Sequence, residues 1–333
     1  MQTKSPLLPF IGPRDYSVET RARIETLTSE LASGKKSDVG RAVASDFSAL
    51  SRIMHQLQTY DAQRGALSVA TTWLEGAQAG LAQIQSVGAA ISEKLPAALT
   101  GTDPGAIATL ARDGEAALRD IVSTLSQDRA GRLVFANGDV AAAPPIDFDT
   151  LLAETAALAA AATDPNDLVA SFDSYFAIGG GAEVTALRNF PASSVSFPIG
   201  DGEAAEIPVS LADPGVRAAL KQAAMIASLP SAGFAIEGAA RQSLAVVLPS
   251  KSAVAATALV ETQARLGSVE ERFDRIVTTL DETRTRLEGQ RTDLLSADPF
   301  ETATRLQDEM TRLETIFAVT ARRARLRLTD YLR

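Results

Sequence analysis

Apolar residues recur at helical spacing over both ends of the chain and lose that spacing in the middle. Between Asp15 and Leu31, the positions Val18, Ala22, Ile24, Leu27 and Leu31 fall near the 3.6-residue period, and Gly34 supplies a stop. Leu67, Ala70, Leu74, Ala77, Leu81, Ile84, Gly88, Ile91 and Leu95 then alternate by threes and fours. Upstream, Phe47, Leu50, Met54 and Leu57 keep the alternation in a shifted phase, which puts one stammer between the two halves. The spacing predicts a single helix from about residue 40 to 95, closed by Pro96 and about 80 Å long at 1.5 Å per residue. A helix of that length forms the axis of an elongated domain.

A third helix is expected behind Asp103-Pro104, with Pro104 at its first position, where a missing N–H costs nothing. Its seam is Ile107, Leu110, Leu118, Ile121 and Leu125. Gly131 to Asp139 reads as a short apolar strand meeting the Asn137-Gly138 turn, a strong hairpin signal. Residues 146–250 gather most of the Gly and Pro clusters. Within them Val195, Phe197 and Ile199 alternate, Gly200-Asp201-Gly202 turns, and Ile207, Val209 and Leu211 alternate back. Short helices are expected near Asn166 to Phe176 and Pro214 to Ser228, which makes this stretch a small α+β insert. From Ser252 the helix returns, with a 3,4 seam through Leu259, Leu266, Phe273, Leu280, Leu287 and Leu294. Asp298-Pro299 opens a last helix carrying Ala303, Leu306, Met310, Leu313 and Phe317 and an arginine-rich end, Arg322, Arg323, Arg325, Arg327 and Arg333. Heptad seams on both flanks of an insert imply that the two chain ends pair with one another.

Composition narrows the chemistry. The 333 residues contain no cysteine and a single histidine, His55. Thiol nucleophiles, thiolate zinc sites and a two-histidine mechanism are thereby excluded. The net charge of −9 has the wrong sign for a protein that must displace counterions from nucleic-acid phosphates. Aromatics at 5%, beside 46% hydrophobic residues rich in alanine, favour long helices with slender seams. No window approaches about 18 consecutive apolar residues, and Pro6 and Pro9 interrupt the apolar patch Leu7, Leu8 and Phe10. The chain is expected to be cytosolic, or to leave the cell by a route that reads no cleaved leader.

Ser33-Gly34-Lys35-Lys36-Ser37 lacks the first glycine and the hydroxyl position of a phosphate loop and reads as a helix-ending turn. Gly179-Gly180-Gly181 lacks the strand-before, helix-after context of a dinucleotide fingerprint and reads as a flexible loop. Glu270, Glu271, Asp274, Asp281 and Glu282 interleave with Arg265, Arg272 and Arg275 as a solvated helix face does. The terminal arginines can complement the helix dipole and pair with acidic neighbours in an assembly. An anionic membrane surface is their other reading. No catalytic constellation, cofactor site or metal site is expected.

Several of these segments, taken in order, resemble one family, the bacterial flagellin and hook-associated protein 3 superfamily. Glu30-Leu31-Ala32-Ser33-Gly34-Lys35-Lys36 is similar to the stretch that ends the family's first helix. Ser37-Asp38-Val39-Gly40-Arg41 with Asp46-Phe47-Ser48-Ala49-Leu50 resembles the version in α-proteobacterial hook–filament junction proteins. Gly131-Arg132-Leu133-Val134-Phe135 and Pro144-Pro145 resemble the segment around the family's hairpin. Asp298 to Leu306 and Leu326-Arg327-Leu328-Thr329-Asp330-Tyr331-Leu332 match the pattern that closes junction proteins. Two departures stand out. Pro6, Pro9 and Pro13 interrupt the region where the family's first helix should already run, and asparagine occurs only at Asn137, Asn166 and Asn189. Main flagellins tend to be asparagine-rich near both ends, so the second departure favours a junction protein.

The resemblance implies a mainly α, elongated, flagellin-like fold. Its N- and C-terminal helices pair as an antiparallel coiled coil or helical bundle, and it carries a β-hairpin and a small α+β central insert. The expected division is an inner domain of 1–38 with 297–333, a long-helix rod domain of 39–145 with 251–296, and an outer insert of 146–250. The implied role is structural, not enzymatic: a hook-associated junction between hook and filament. It would be exported to the extracellular flagellum through the type III apparatus without a cleaved signal peptide. The implied partners are further copies of the chain, another hook-associated junction protein, flagellin and an export chaperone. The alternatives are a flagellin proper and, more remotely, a soluble coiled-coil protein with a ligand-binding insert. The assembly seam is expected at Val18, Ile24, Leu27, Leu31, Leu306, Met310, Leu313 and Phe317.

Overall fold

The structure is a computed structural model that describes residues 13–38, 40, 47–101, 103, 105–129, 132–135, 145–187, 195–200 and 203–331. It divides into two compact units, Met1–Tyr60 with Asp281–Arg333, and Asp61–Leu280. In chain order the elements are α1 (Pro13–Ser33), α2 (Ser48–Thr100), α3 (Ala106–Leu125), β1 (Asp128–Arg129), β2 (Arg132–Leu133), α4 (Phe148–Ala161), α5 (Pro165–Tyr175) and α6 (Gly181–Thr185). They continue with β3 (Val195–Gly200), β4 (Glu203–Ile207), α7 (Pro214–Ala227), a 3₁₀ turn (Leu229–Ser231), α8 (Gly238–Leu295) and α9 (Pro299–Tyr331). The mainly helical class read from the sequence, with two small antiparallel strand pairs, is the one observed.

In Asp61–Leu280 the 3,4 pattern of α2 is a buried stripe: Leu67, Ala70, Ala77, Leu81, Ile84 and Leu95 are fully sealed. They face one continuous core with Leu118 and Ile121 of α3, Phe172 of α5, Val216 and Leu220 of α7, and Leu259, Leu266 and Phe273 of α8. Helices α3 and α7 approach at Gly114, where an added Cβ would stand 2.7 Å from Ile226 and 2.8 Å from the Ala227 amide nitrogen. Trp73 meets Phe197 of β3 edge-on, with ring centroids 5.9 Å apart.

Aspartates set where the helices begin. The Asp147 carboxylate accepts from the Thr150 amide at the start of α4. Asp164 accepts from the Asn166 and Asp167 amides, Asp213 from the Gly215 amide and Asp298 from the Phe300 and Glu301 amides. In the last three a proline follows at the first helical position, so one residue supplies the cap and the next needs no N–H. Asp213 is also buried, and it accepts from the Thr262 hydroxyl at 2.5 Å and the Arg265 guanidinium at 2.5 Å on α8. Arg265, expected on a solvated face, is thus an inter-helix tether.

Several boundaries differ from the sequence reading. Pro96 does not close α2; it lies inside the helix, whose last carbonyls at Ala98 and Leu99 accept from the Arg241 guanidinium on α8. Proline frees only the carbonyl four residues earlier, so one near a helix end costs little. Pro249 likewise lies inside α8, which begins at Gly238 rather than Ser252. In the upstream half of α2, Ile53 is buried and Met54 is 57% exposed, so the true stripe is Leu50, Ile53 and Leu57. Helix α3 starts at Ala106 with Gly105 as its N-cap, and Pro104 lies outside the described residues. Strand β2 pairs antiparallel with β1 before it, while Asn137-Gly138 lies outside the described residues. Strands β3 and β4 pair with Val195 opposite Ile207, and Val209 and Leu211 are buried beyond the end of β4.

Helix α8 also contains an 18-residue window of mean hydropathy 1.6, of which 28% is buried, so by length and composition it could cross a membrane. The expectation that no window comes near a span rested on unbroken apolar runs, which an average does not require. On this helix Arg241 caps α2 and the Lys251 ammonium lies 2.8 Å from the Asp173 carboxylate.

Candidate assembly interface

The chain ends meet in the other unit, where α1 packs along α9. Pro13 opens α1. Gly34 ends it at φ 68, a left-handed conformation that suits glycine, and its amide donates to the Glu30 carbonyl at 2.8 Å. The turn is stitched to the α8–α9 joint by two backbone bonds. The Lys36 amide donates to Leu295 O at 2.8 Å and the Ala297 amide to Gly34 O at 2.9 Å. Farther along, Arg23 lies 3.3 Å from Glu309, and the Arg21 guanidinium stands 5.4 Å from the Phe317 ring centre. Position numbers fall on α1 as they rise on α9, so the pair is antiparallel. The Glu309 carboxylate, and after it that of Glu19, hold the Arg23 guanidinium above its ordinary value.

The inward and outward faces of this pair are unusual in chemistry. Ile24 and Leu27 on α1 and Leu306, Leu313 and Ile316 on α9 are half-buried. Among them lie polar side chains: Thr20 and Thr302 are buried, and the Glu309 side chain is 17% exposed with Oε2 unpaired. Outward lie large apolar side chains. Val18 is 65% exposed, Met310 52%, Phe317 46% and Leu31 39%, with Tyr16 and Val319 exposed as well. The expected seam residues therefore divide, with Ile24, Leu27, Leu306 and Leu313 turned toward the partner helix, Val18, Leu31 and Met310 toward solvent, and Phe317, half in water, under the Arg21 guanidinium of α1. Sequence reasoning missed Thr20, Glu309 and Ile316. The 3,4 count was tuned to apolar letters, and the inward stripe on α9 runs 302, 306, 309, 313, 316 through polar ones.

Both helices supply the rest of the surface with charge held locally, as in the Arg23–Glu19 and Arg305–Glu301 pairs. His55 is exposed on α2. Gly180 serves as the N-cap of α6, so the triple glycine leads into a short helix instead of forming a loop throughout. Among the described residues no group of three or more His, Asp or Glu side chains is placed to hold a metal ion. The side chains of Arg323, Arg325 and Arg327 lie outside the described residues.

Residues 252–332 match the family model of the bacterial flagellin C-terminal helical region. The chain has the fold of the crystal structure of Bacillus cereus FlgL, with a TM-score of 0.51 at 13% identity over 73% of this chain and 100% of that one. No protein in a search of curated sequences matches the chain. The sequence likeness to flagellins therefore covers residues 252–332, and the likeness to the FlgL structure is one of fold.

Proposed function

From this flagellin-type helical region on the FlgL fold, we propose that the chain is a structural protein of the bacterial flagellum, and more narrowly the junction on which filament is built upon hook. The observation that carries the reading is the inverted chemistry of the α1/α9 pair. A two-helix pair that turns Thr20 and Glu309 inward and leaves Val18, Met310 and Phe317 in water has not satisfied its own apolar surface. Neighbouring subunits would bury it, and that burial drives assembly. The inner domain of the proposed division, 1–38 with 297–333, is the part that assembles.

The family resemblance supplies the partners, each of which would cover this surface: further copies of the chain, another hook-associated junction protein on the hook side, flagellin on the filament side, and an export chaperone beforehand. Export to the cell exterior needs no cleaved leader in this scheme, and a chain without cysteine forms no disulfide that could block passage.

A second reading, a flagellin proper, is favoured by the name of the matched region itself. Deletion in the source bacterium separates the two. Hooks without filaments, with flagellin shed into the medium, are the expected result. Loss of the major filament protein itself would make the chain the flagellin, and normal filaments with normal motility would overturn both.

A further inference from the structure

Within Asp61–Leu280 a cavity of about 390 Å³ opens between α2, α3, α7 and α8. Its floor is sealed core, with Ile121, Ala219, Ala223 and Leu259 each at 5% exposure or less. Its mouth is formed by the exposed small residues Ala89, Ala253 and Ala256. No charged side chain lines it. Pro249 stands in its wall, where the α8 helix cannot offer a backbone N–H.

One polar cluster lies at depth. The Gln222 side-chain amide donates to the hydroxyl oxygens of Ser252 and, at 3.5 Å, of Ser92. Both hydroxyls have already given their protons away, Ser92 to the Gly88 carbonyl at 2.7 Å and Ser252 to the Leu248 carbonyl at 3.0 Å. They can therefore only accept, and this fixes the orientation of the Gln222 amide: Nε2 faces the serines and Oε1 is left over. Gln222 is 8% exposed and lines the cavity, and among the described residues nothing donates to its Oε1. Oε1 is not one of the sealed, unpartnered side-chain atoms among the described residues, so it keeps access to the cavity, where a donor that enters can pair with it.

We infer that this cavity is a binding site for a small, neutral, mainly apolar molecule that carries one terminal O–H or N–H donor, which the Gln222 Oε1 accepts. Its volume falls within the range of small-molecule pockets, and apolar walls with few convergent polar groups are their usual composition. A charged ligand is disfavoured, because no opposite charge in the wall would offset its desolvation. Gln85, half-exposed in the lining, can give or accept and does not discriminate; Gln222 does. The inference is independent of the flagellar reading, since the cavity lies wholly within Asp61–Leu280.

The test uses the full chain and three probes of one shape, followed by isothermal titration calorimetry and ligand-observed NMR: 4-propylphenol, propylbenzene and 4-propylbenzoate. The phenol is neutral at pH 7, as an unperturbed tyrosine is. It is expected to bind one per chain, propylbenzene about tenfold or more weakly because the acceptor stays unpaired, and the benzoate not at all. Gln222→Leu should erase the preference for the phenol over propylbenzene. Ala253→Phe, a change at an exposed position that leaves the buried cluster untouched, should abolish binding of both by filling the mouth. Failure of 4-propylphenol to bind the folded chain, an unchanged phenol preference in Gln222→Leu, or undiminished binding to Ala253→Phe would each overturn the assignment.

Discussion

Along α2 from Leu67 to Leu95 the residues at 3,4 spacing are sealed, whereas the same spacing on α1 and α9 leaves Val18 65% and Phe317 46% exposed. The alphabets are similar; the number of partners is not. The α2 stripe belongs to a core that also takes in α3, α5, α7 and α8, enough surfaces to close around leucines on one side of a helix. A pair of helices buries only the narrow seam between them, and an apolar stripe wider than that seam stays wet. Periodicity therefore announces a helix face that wants cover. It does not say whether this chain or a neighbour supplies the cover, and that difference separates a core from an assembly surface.

The largest expected effect breaks the wet side of the comparison. Leu313→Asp puts a charge between α1 and α9, which parts the pair that presents the wet face, and should stop incorporation of the chain into flagella, with Asp61–Leu280 still folded. Immunodetection on purified hooks and filaments, beside a denaturation curve of the purified variant, checks both halves. Normal incorporation would refute the seam.

Next come paired truncations that set the two regions against each other. Leu81→Ala empties a fully sealed position and should cost about 2–5 kcal/mol. Phe317→Ala removes a side chain already half in water and should change monomer stability by less than about 1 kcal/mol while weakening assembly. Urea unfolding of the two variants at one pH measures the contrast, and equal costs would erase it.

A smaller effect tests how closely the dry region is packed. Gly114→Ala gains about 1 kcal/mol of helix propensity. It must, however, push against the Ala227 backbone, and overpacking of this kind costs about 1–3 kcal/mol. A net loss of about 1 kcal/mol in the same unfolding assay is expected, and a stabilised variant would mean that α3 and α7 part easily.

Much of this was legible in residue spacing. The α2 stripe from Leu67 to Leu95, the α3 and α8 seams, the α5 and α7 helices and the Val195–Ile207 pairing could all be read because each buries one face of a regular element. The errors have a common physical origin. Pro96 was taken as a stop and α8 was begun only at Ser252, beyond Pro249, yet a helix held by tertiary contacts survives the loss of one hydrogen bond. Ile53 for Met54 and Ile316 for Phe317 are one-position slips, which a 3,4 count cannot resolve where apolar residues sit side by side. Helix α4, alanine-rich and capped by Asp147, carries few large side chains for periodicity to register. The Gln222–Ser252–Ser92 cluster was invisible because its members come from three helices, and only the fold brings them together.

The smallest effect concerns the ion pairs around α5, α6 and α7 in the dry region, whose counterpart in the wet one is the Arg23–Glu309 pair. The Arg217 guanidinium, bonded to the Phe176 and Ala177 carbonyls, also donates to Glu183 and holds that carboxyl below its ordinary value of 4.5. Burial pushes Asp173 up, but the hydrogen bonds and charges of Lys221 and Lys251 outweigh it and leave Asp173 below 3.8. A carboxyl depressed in the folded state contributes stability that is fully present above its unfolded value and is lost as pH falls through its folded value. Acid should therefore loosen Asp61–Leu280 below about pH 4.5, the region where Glu183 begins to protonate in the unfolded chain. Glu183→Gln should cost about 1 kcal/mol at pH 7, since the pair is partly solvated. The gap between variant and wild type should then shrink steadily on going from pH 5 to pH 3. Denaturation curves that stay parallel over that range would mean that Glu183 is no ionised partner of Arg217, and the loop from Phe176 to Gly181 would then rest on the arginine–carbonyl bonds and on its own turn bonds, such as Gly180 N–H to Ala177 O.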